Sequence, residues 1–162
     1  MTVNELLQIL AGFAGAAGFA ILFNIRGKKF WAAALGGLLA WALVVLVGKI
    51  VSNEPAVYFV VAFAISVYAE IMARVLKTPT TAFIITSLIP LIPGGSLYYT
   101  MISVFQTGQG EFLEKGTHTL QLAAALALGI VAVTTLTSAI YRIYYFIKRQ
   151  KERTPRSECS KS

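Results

Sequence analysis

The segment IPLIPGGSLYY, Ile89 to Tyr99, decides how this chain is read. It sets Pro90, Pro93, Gly94, Gly95 and Ser96 inside an otherwise apolar stretch. Proline removes a backbone donor and clashes with the preceding helical turn, and glycine loses the most conformational freedom on folding. A helix entering at Thr80 is therefore expected to end near Ile89. Pro93-Gly94 suits the two central positions of a type II turn, the second of which needs a positive φ. Ser96 then caps a second half-helix, Leu97 to Phe105. One proline would read as a kink; two Pro, two Gly and a Ser within seven residues read as an interruption.

The flanking sequence says what surrounds the break. Of 162 residues, 57% are hydrophobic and only 13% are charged, about half the charged share of a soluble domain. Mean hydropathy is +0.71. A bilayer crossing takes about 20 mainly apolar residues. The runs Leu6–Phe23, Phe30–Val51, Ala56–Leu76, Thr80–Phe105 and Leu120–Ile147 meet or approach that length. The expected fold is an all-α integral membrane protein of about five transmembrane helices, the fourth broken at the Pro-Gly segment. Residues 1–147 form the transmembrane domain and 148–162 a basic cytoplasmic tail. The N-terminal run lacks a basic start, and Arg26 follows it, so it is read as a retained span rather than a cleaved leader.

Charge sets the orientation. The net charge is +7, and six of the fourteen Lys and Arg lie in the last fifteen residues. Others cluster at Arg26, Lys28 and Lys29 and at Arg74 and Lys77, whereas the alternate loops are poor in them. The positive-inside rule places the N-terminus outside and the C-terminus inside, which requires the broken segment to cross. Basic residues grouped this way suit anionic lipid headgroups, not nucleic acid.

Non-helical backbone at membrane depth is tolerated only against protein or a water-filled cavity. The N-terminus of a half-helix offers free N–H groups and the positive end of the helix dipole, which suits a carboxylate. Discontinuous helices of this kind build midplane sites in many secondary transporters. Pro90, Pro93, Gly94, Gly95, Ser96, Tyr98 and Tyr99 are the candidate solute-binding residues.

Glu70 is the only acidic residue inside an expected span, four residues before Arg74 on the same helix face. The two are candidates for coupling or gating; the plainer reading is an interfacial pair snorkelling to water. Thr134 and Ser138 give the last span a polar face. That face either bonds to neighbouring helices or lines a pathway. Gly12, Gly15 and Gly18, and Gly36-Gly37, read as small-residue surfaces open to self-association or a partner. Trp31 and Trp41 read as packing or interface aromatics. The single histidine, His118, falls in a polar loop and the single cysteine, Cys159, in the tail. No catalytic constellation, metal site or cofactor is expected, and the chain is not read as an enzyme.

The stretch AEIMARVLKTPTTAFIITSLIPLIPGGSLYYTMIS (69–103) resembles the membrane module of the threonine/serine exporter family. The resemblance is carried by Glu70, Arg74, Pro79, Ile89, Pro90, Leu91, Pro93, Gly94 and Tyr98 or Tyr99. GFAILFN and AALGGLLAW upstream also fit. It implies a separate small subunit in a bacterial inner membrane, an oligomer with a larger membrane subunit of the same family. It further implies proton-coupled efflux of threonine/serine-like amino acids or small carboxylates. The alternatives are a structural or assembly subunit, or a homo-oligomeric channel.

Overall fold

The apolar runs of the chain fold as helices, because a bilayer leaves the backbone no partners but its own. A computed structural model describes residues 3–106 and 109–153. The helices are α1 (Val3–Leu22), α2 (Lys28–Gly48), α3 (Glu54–Val75), α4 (Thr80–Leu88), α5 (Gly94–Gln106) and α6 (Gln109–Arg153), with a 3₁₀ turn at Ile89–Leu91. There is no strand among the described residues. Four helices (α1, α2, α3 and α6) are each long and apolar enough to cross a membrane. Thr80–Leu91 and Gly94–Phe105 are long and apolar enough only when taken together, bent by 52° at the break, as one broken span or a re-entrant pair. The chain is an all-α membrane protein. Cys159 and the rest of 154–162 lie outside the described residues.

Three contacts fix the relative direction of α3 and α6. Glu54 meets His118 (3.2 Å), Gly129 packs on Phe59 and Ala62, and Arg74 lies over the Tyr141 ring at 3.9 Å from its centroid. Both helices therefore run the same way. A hairpin returning to its starting side would make them antiparallel, so α4 and α5 together cross the bundle. Its two ends are marked by different charges. One carries Glu5 paired to Lys49 (3.0 Å) and Glu54 beside His118. The other carries Arg74 and the turns at Asn24–Gly27 and Lys77, where Asn24, Gly27 and Lys77 adopt positive φ.

Small residues set the packing. α1 lies against α2 with Gly12 and Ala16 facing Gly37 and Trp41. Most of the glycine surface expected to be open to a partner is thus consumed within the chain: Gly12, Ala16, Gly36 and Gly37 are buried, and Gly18 alone stays exposed with nothing within 4 Å of its Cβ position. α4 wedges against α2 and α3 through Phe83, Ser87 and Leu88. Tyr68 Oη donates to the Ala32 carbonyl (2.9 Å), tying α3 to α2. Gly129 brings α6 onto α3: a Cβ built on it would lie 2.7 Å from Ala62 Cβ and 2.9 Å from the Phe59 carbonyl.

One boundary differs from the expected one. The polar stretch before the last span is helical from Gln109, so His118 is a helix residue and not a loop residue. Local bonds hold it: Lys115 donates to Glu111 one turn earlier (2.7 Å), and Thr117 Oγ1 donates to the Glu114 carbonyl (2.9 Å). At its far end α6 runs on to Arg153.

Candidate functional site

The break is made by Pro93 acting on its predecessor. A residue before proline is disfavoured in the α region, and Ile92 takes φ −57°, ψ 128°, extended rather than helical. The 3₁₀ turn Ile89–Leu91 closes α4, and Gly94 N–H donates to the Ile92 carbonyl (2.7 Å) around Pro93. That is a three-residue γ-type turn. It replaces the expected type II turn, because Gly94 does not have the positive φ that turn requires. α5 starts at Gly94, so Ser96 stands within its first turn and is not its cap. The cap position falls to Pro93, whose carbonyl accepts from Leu97 N–H (3.0 Å). Ser96 has its own carbonyl bonded by Thr100 Oγ1 (2.7 Å).

A continuous helix would bond the Pro90 carbonyl to Gly94 N–H. With Gly94 turned to Ile92, that acceptor is freed, and Trp41 Nε1 of α2 donates to it (3.2 Å). Trp41 is therefore a positioning residue of the break, beyond the plain aromatic expected. A tryptophan in mid-span carries no sequence sign that its N–H faces a carbonyl 49 residues away. Pro90 also lies against Gly15 of α1. Along α1 and α2, Gly15 and Trp41 stand about 12–15 Å from the Glu5–Lys49 pair. α3 is about 33 Å long at 1.5 Å per residue. The break is thus near mid-depth.

The two sides of the break differ. Towards α1 and α2 it is closed, with Leu91 and Pro93 buried. Towards α6 lies an apolar groove of about 430 Å³ between Ile89, Ile92 and Pro93 and the α6 residues Ala123, Leu126 and Ala127. Gly94 and Gly95 are exposed, with nothing within 4 Å of where a Cβ would stand.

Polar groups gather one turn further along α5. Ser96 and Tyr99 border a cavity of about 530 Å³ whose other wall is Glu111, Glu114, Lys115, His118 and Thr119 of α6. Thr100 and Thr119 share a hydrogen bond across the same helix pair (3.0 Å). Of the candidate residues, Ser96 and Tyr99 are brought together here. Tyr98 is exposed on α5, edge-on to Tyr99 at 5.5 Å between ring centroids. Pro90 and Pro93 stay in the apolar surroundings of the break. The four charged or titratable α6 residues are legible in the sequence only as a local i, i+4 pair, since nothing nearby in sequence brings them to Ser96.

Glu70 and Arg74 pair at 2.9 Å, with the Glu70 side chain only 16% exposed. Arg74 also covers the Tyr141 ring, which ties the pair to α6. Glu70 is about 24 Å along α3 from Glu54, towards the opposite end from the cavity. Tyr141→Leu removes the ring from this partly exposed cation, so a loss of about 0.5–1 kcal/mol in stability is expected, with Tyr141→Phe close to neutral. Thermal unfolding of the two variants in one detergent checks the difference.

Thr134, Ser138 and Arg142 line a further cavity of about 480 Å³ on α6. Leu122, Ala125, Leu126, Gly129 and Val133 are the buried face of that helix, and Thr135, Ser138 and Arg142 fall opposite at 100° per residue. The threonine hydroxyls bond within α6, Thr134 to the Ile130 carbonyl (3.0 Å) and Thr135 to that of Val131 (2.6 Å). They do not form the interhelical bonds expected.

No curated protein and no solved structure matches the chain. Residues 8–136, which run from within α1 through the break and α5 to most of the apolar part of α6, match the family described as Threonine/Serine exporter, ThrE. With a match over most of its length and the expected broken span in place, the chain belongs to the threonine/serine exporter family, a family of amino-acid exporters.

Proposed function

We propose that the chain is the small subunit of a proton-coupled secondary exporter that moves threonine- or serine-like amino acids across a bacterial inner membrane. Its N-terminus lies outside and its C-terminus in the cytoplasm. The observation that carries the reading is the broken span, held open at mid-depth by Pro93 and Trp41 in a chain of this family. With the Gly94 N–H turned to Ile92, the N–H groups of Gly95 and Ser96 in the first turn of α5 have no intrahelical acceptors, and they receive the solute carboxylate. Glu70 and Arg74 gate or couple at the cytoplasmic end. The α6 face bearing Thr135, Ser138 and Arg142 is where a larger subunit of the same family packs, and Thr134 and Ser138 line a pathway only once that subunit closes it. Five spans give few walls for alternating access, which favours an assembly.

Efflux of labelled threonine, serine and succinate from preloaded cells lacking their own exporters tests this. Three strains express this chain, a larger family subunit, or both. Amino-acid efflux only with both is expected. Efflux with this chain alone removes the partner, and no efflux in any strain removes the exporter. In the active strain, Pro93→Ala with Gly94→Ala is expected to reduce efflux to background with membrane insertion unchanged. Ile92 is then free to become helical, and the methyl group added at position 94 meets open space. Undiminished efflux would sink the role of the break.

A further inference from the structure

The polar cavity between α5 and α6 can be accounted for group by group. Lys115 is held by Glu111 at 2.7 Å. His118 is held by Glu54 at 3.2 Å. Thr119 Oγ1 donates to the Lys115 carbonyl (2.8 Å) and meets Thr100. The carboxylate of Glu114 and the hydroxyls of Ser96 and Tyr99 have no partner among the described residues. The ammonium group of Lys115 and the imidazole of His118 are thus each engaged by a carboxylate, while one carboxylate is left over. The complement of that arrangement is an ammonium group attached to something that hydrogen-bonds hydroxyls.

We infer that this cavity is a binding site for zwitterionic or cationic amines, with Glu114 receiving the ammonium group, and that it turns away dicarboxylates. The inference rests on the exporter reading, of which it names the exit site and the solute class. A volume of about 530 Å³ lies within the range of small-molecule sites, about 300–1,000 Å³, and holds one amino acid with some of its water. Ser96 stands in the first turn of α5 and also borders the cavity, so one residue joins the break to it. A solute whose carboxylate leaves the N–H groups at the break meets Glu114 with its ammonium group further along the cavity, beyond the Thr100–Thr119 contact. Glu114 is exposed, so water screens the attraction and the site is weak, as an exit requires. A dicarboxylate finds neither a free cation nor a neutral field there.

The test uses the full chain purified into lipid nanodiscs, with binding followed by saturation-transfer NMR and isothermal titration. The probes are L-threonine, L-threoninol (no carboxylate), 3-hydroxybutyrate (no amine) and succinate. Threonine and threoninol are expected to bind, and the two amine-free anions are not. Glu114→Gln is expected to weaken threonine by about threefold to fivefold, the range for an exposed charge pair, and Glu114→Lys to abolish it. An exposed, unpaired side chain puts folding at little risk, and circular dichroism checks that. Succinate binding as well as threonine, no threonine binding by the wild type, or threonine binding unmoved by Glu114→Lys would overturn the site. Efflux separates the two readings. Threonine efflux intact in Glu114→Lys, with binding unchanged, sinks the site and spares the exporter, whereas a wild type that moves no amino acid with its partner sinks the exporter itself.

Discussion

Gly37→Leu is expected to prevent recovery of the folded protein from the membrane, while Gly18→Leu on the neighbouring helix is expected to be recovered as wild type. A Cβ on Gly37 would run into Ala16 Cβ and come within 2.6 Å of the Gly12 carbonyl, which is backbone and cannot turn aside. α1 and α2 would have to separate, exposing Gly12, Ala16 and Trp41 and withdrawing the support of the break. Overpacking by a methyl or two costs about 1–3 kcal/mol where neighbours can shift. Here they cannot, and leucine adds three further carbons. Gly18 has nothing within 4 Å of its Cβ position. Yield and monodispersity of the two variants in the same detergent, with Gly37→Ala as an intermediate, read the effect. Equal recovery of both leucine variants would mean that α1 and α2 do not meet as described.

Trp41→Phe should lower stability by about 1–3 kcal/mol, the cost of leaving the Pro90 carbonyl unsatisfied in an apolar setting. Trp41→Ala adds a cavity beside Gly12 and should cost about 3–5 kcal/mol. A second substitution isolates the hydrogen bond. With Pro93→Ala, Ile92 is released into the helix, and the N–H at position 94 can reach the Pro90 carbonyl in the ordinary i to i−4 way. Trp41→Phe combined with Pro93→Ala is therefore expected to regain most of the thermal stability lost by Trp41→Phe alone, yet not the efflux. Thermal midpoints of the three variants, beside efflux in cells, check this. A double variant no more stable than Trp41→Phe would show that the indole N–H is not what holds the carbonyl.

The apolar runs and the interruption at Pro90–Ser96 are legible in the sequence because both depend on local chemistry. A bilayer demands about 20 apolar residues per crossing, and proline acts on its immediate neighbours. The Glu70–Arg74 pair is legible for the same reason, since i, i+4 spacing on a helix is itself a contact. The turn type is not: the γ-type turn around Pro93 leaves Gly94 without a positive φ and moves the helix start ahead of Ser96. At the start of α6, polar composition suggests a loop and the structure has a helix, a difference already signalled by Glu111 and Lys115 standing at helical spacing.

The amino-acid sequence by itself determined that this chain is helical, lies in a membrane and breaks one span at Pro90–Ser96, for each follows from composition or from residues adjacent in the chain. The crossing of that span, expected from the loop charges, agrees with the parallel run of α3 and α6. Only the tertiary structure decided that Trp41 holds the freed carbonyl and that Ser96 and Tyr99 meet the charged start of α6. Those facts depend on which faces of separate helices come together. That is settled by where small residues such as Gly12, Gly37 and Gly129 let backbones approach, a property of pairs of surfaces that no single stretch of sequence contains.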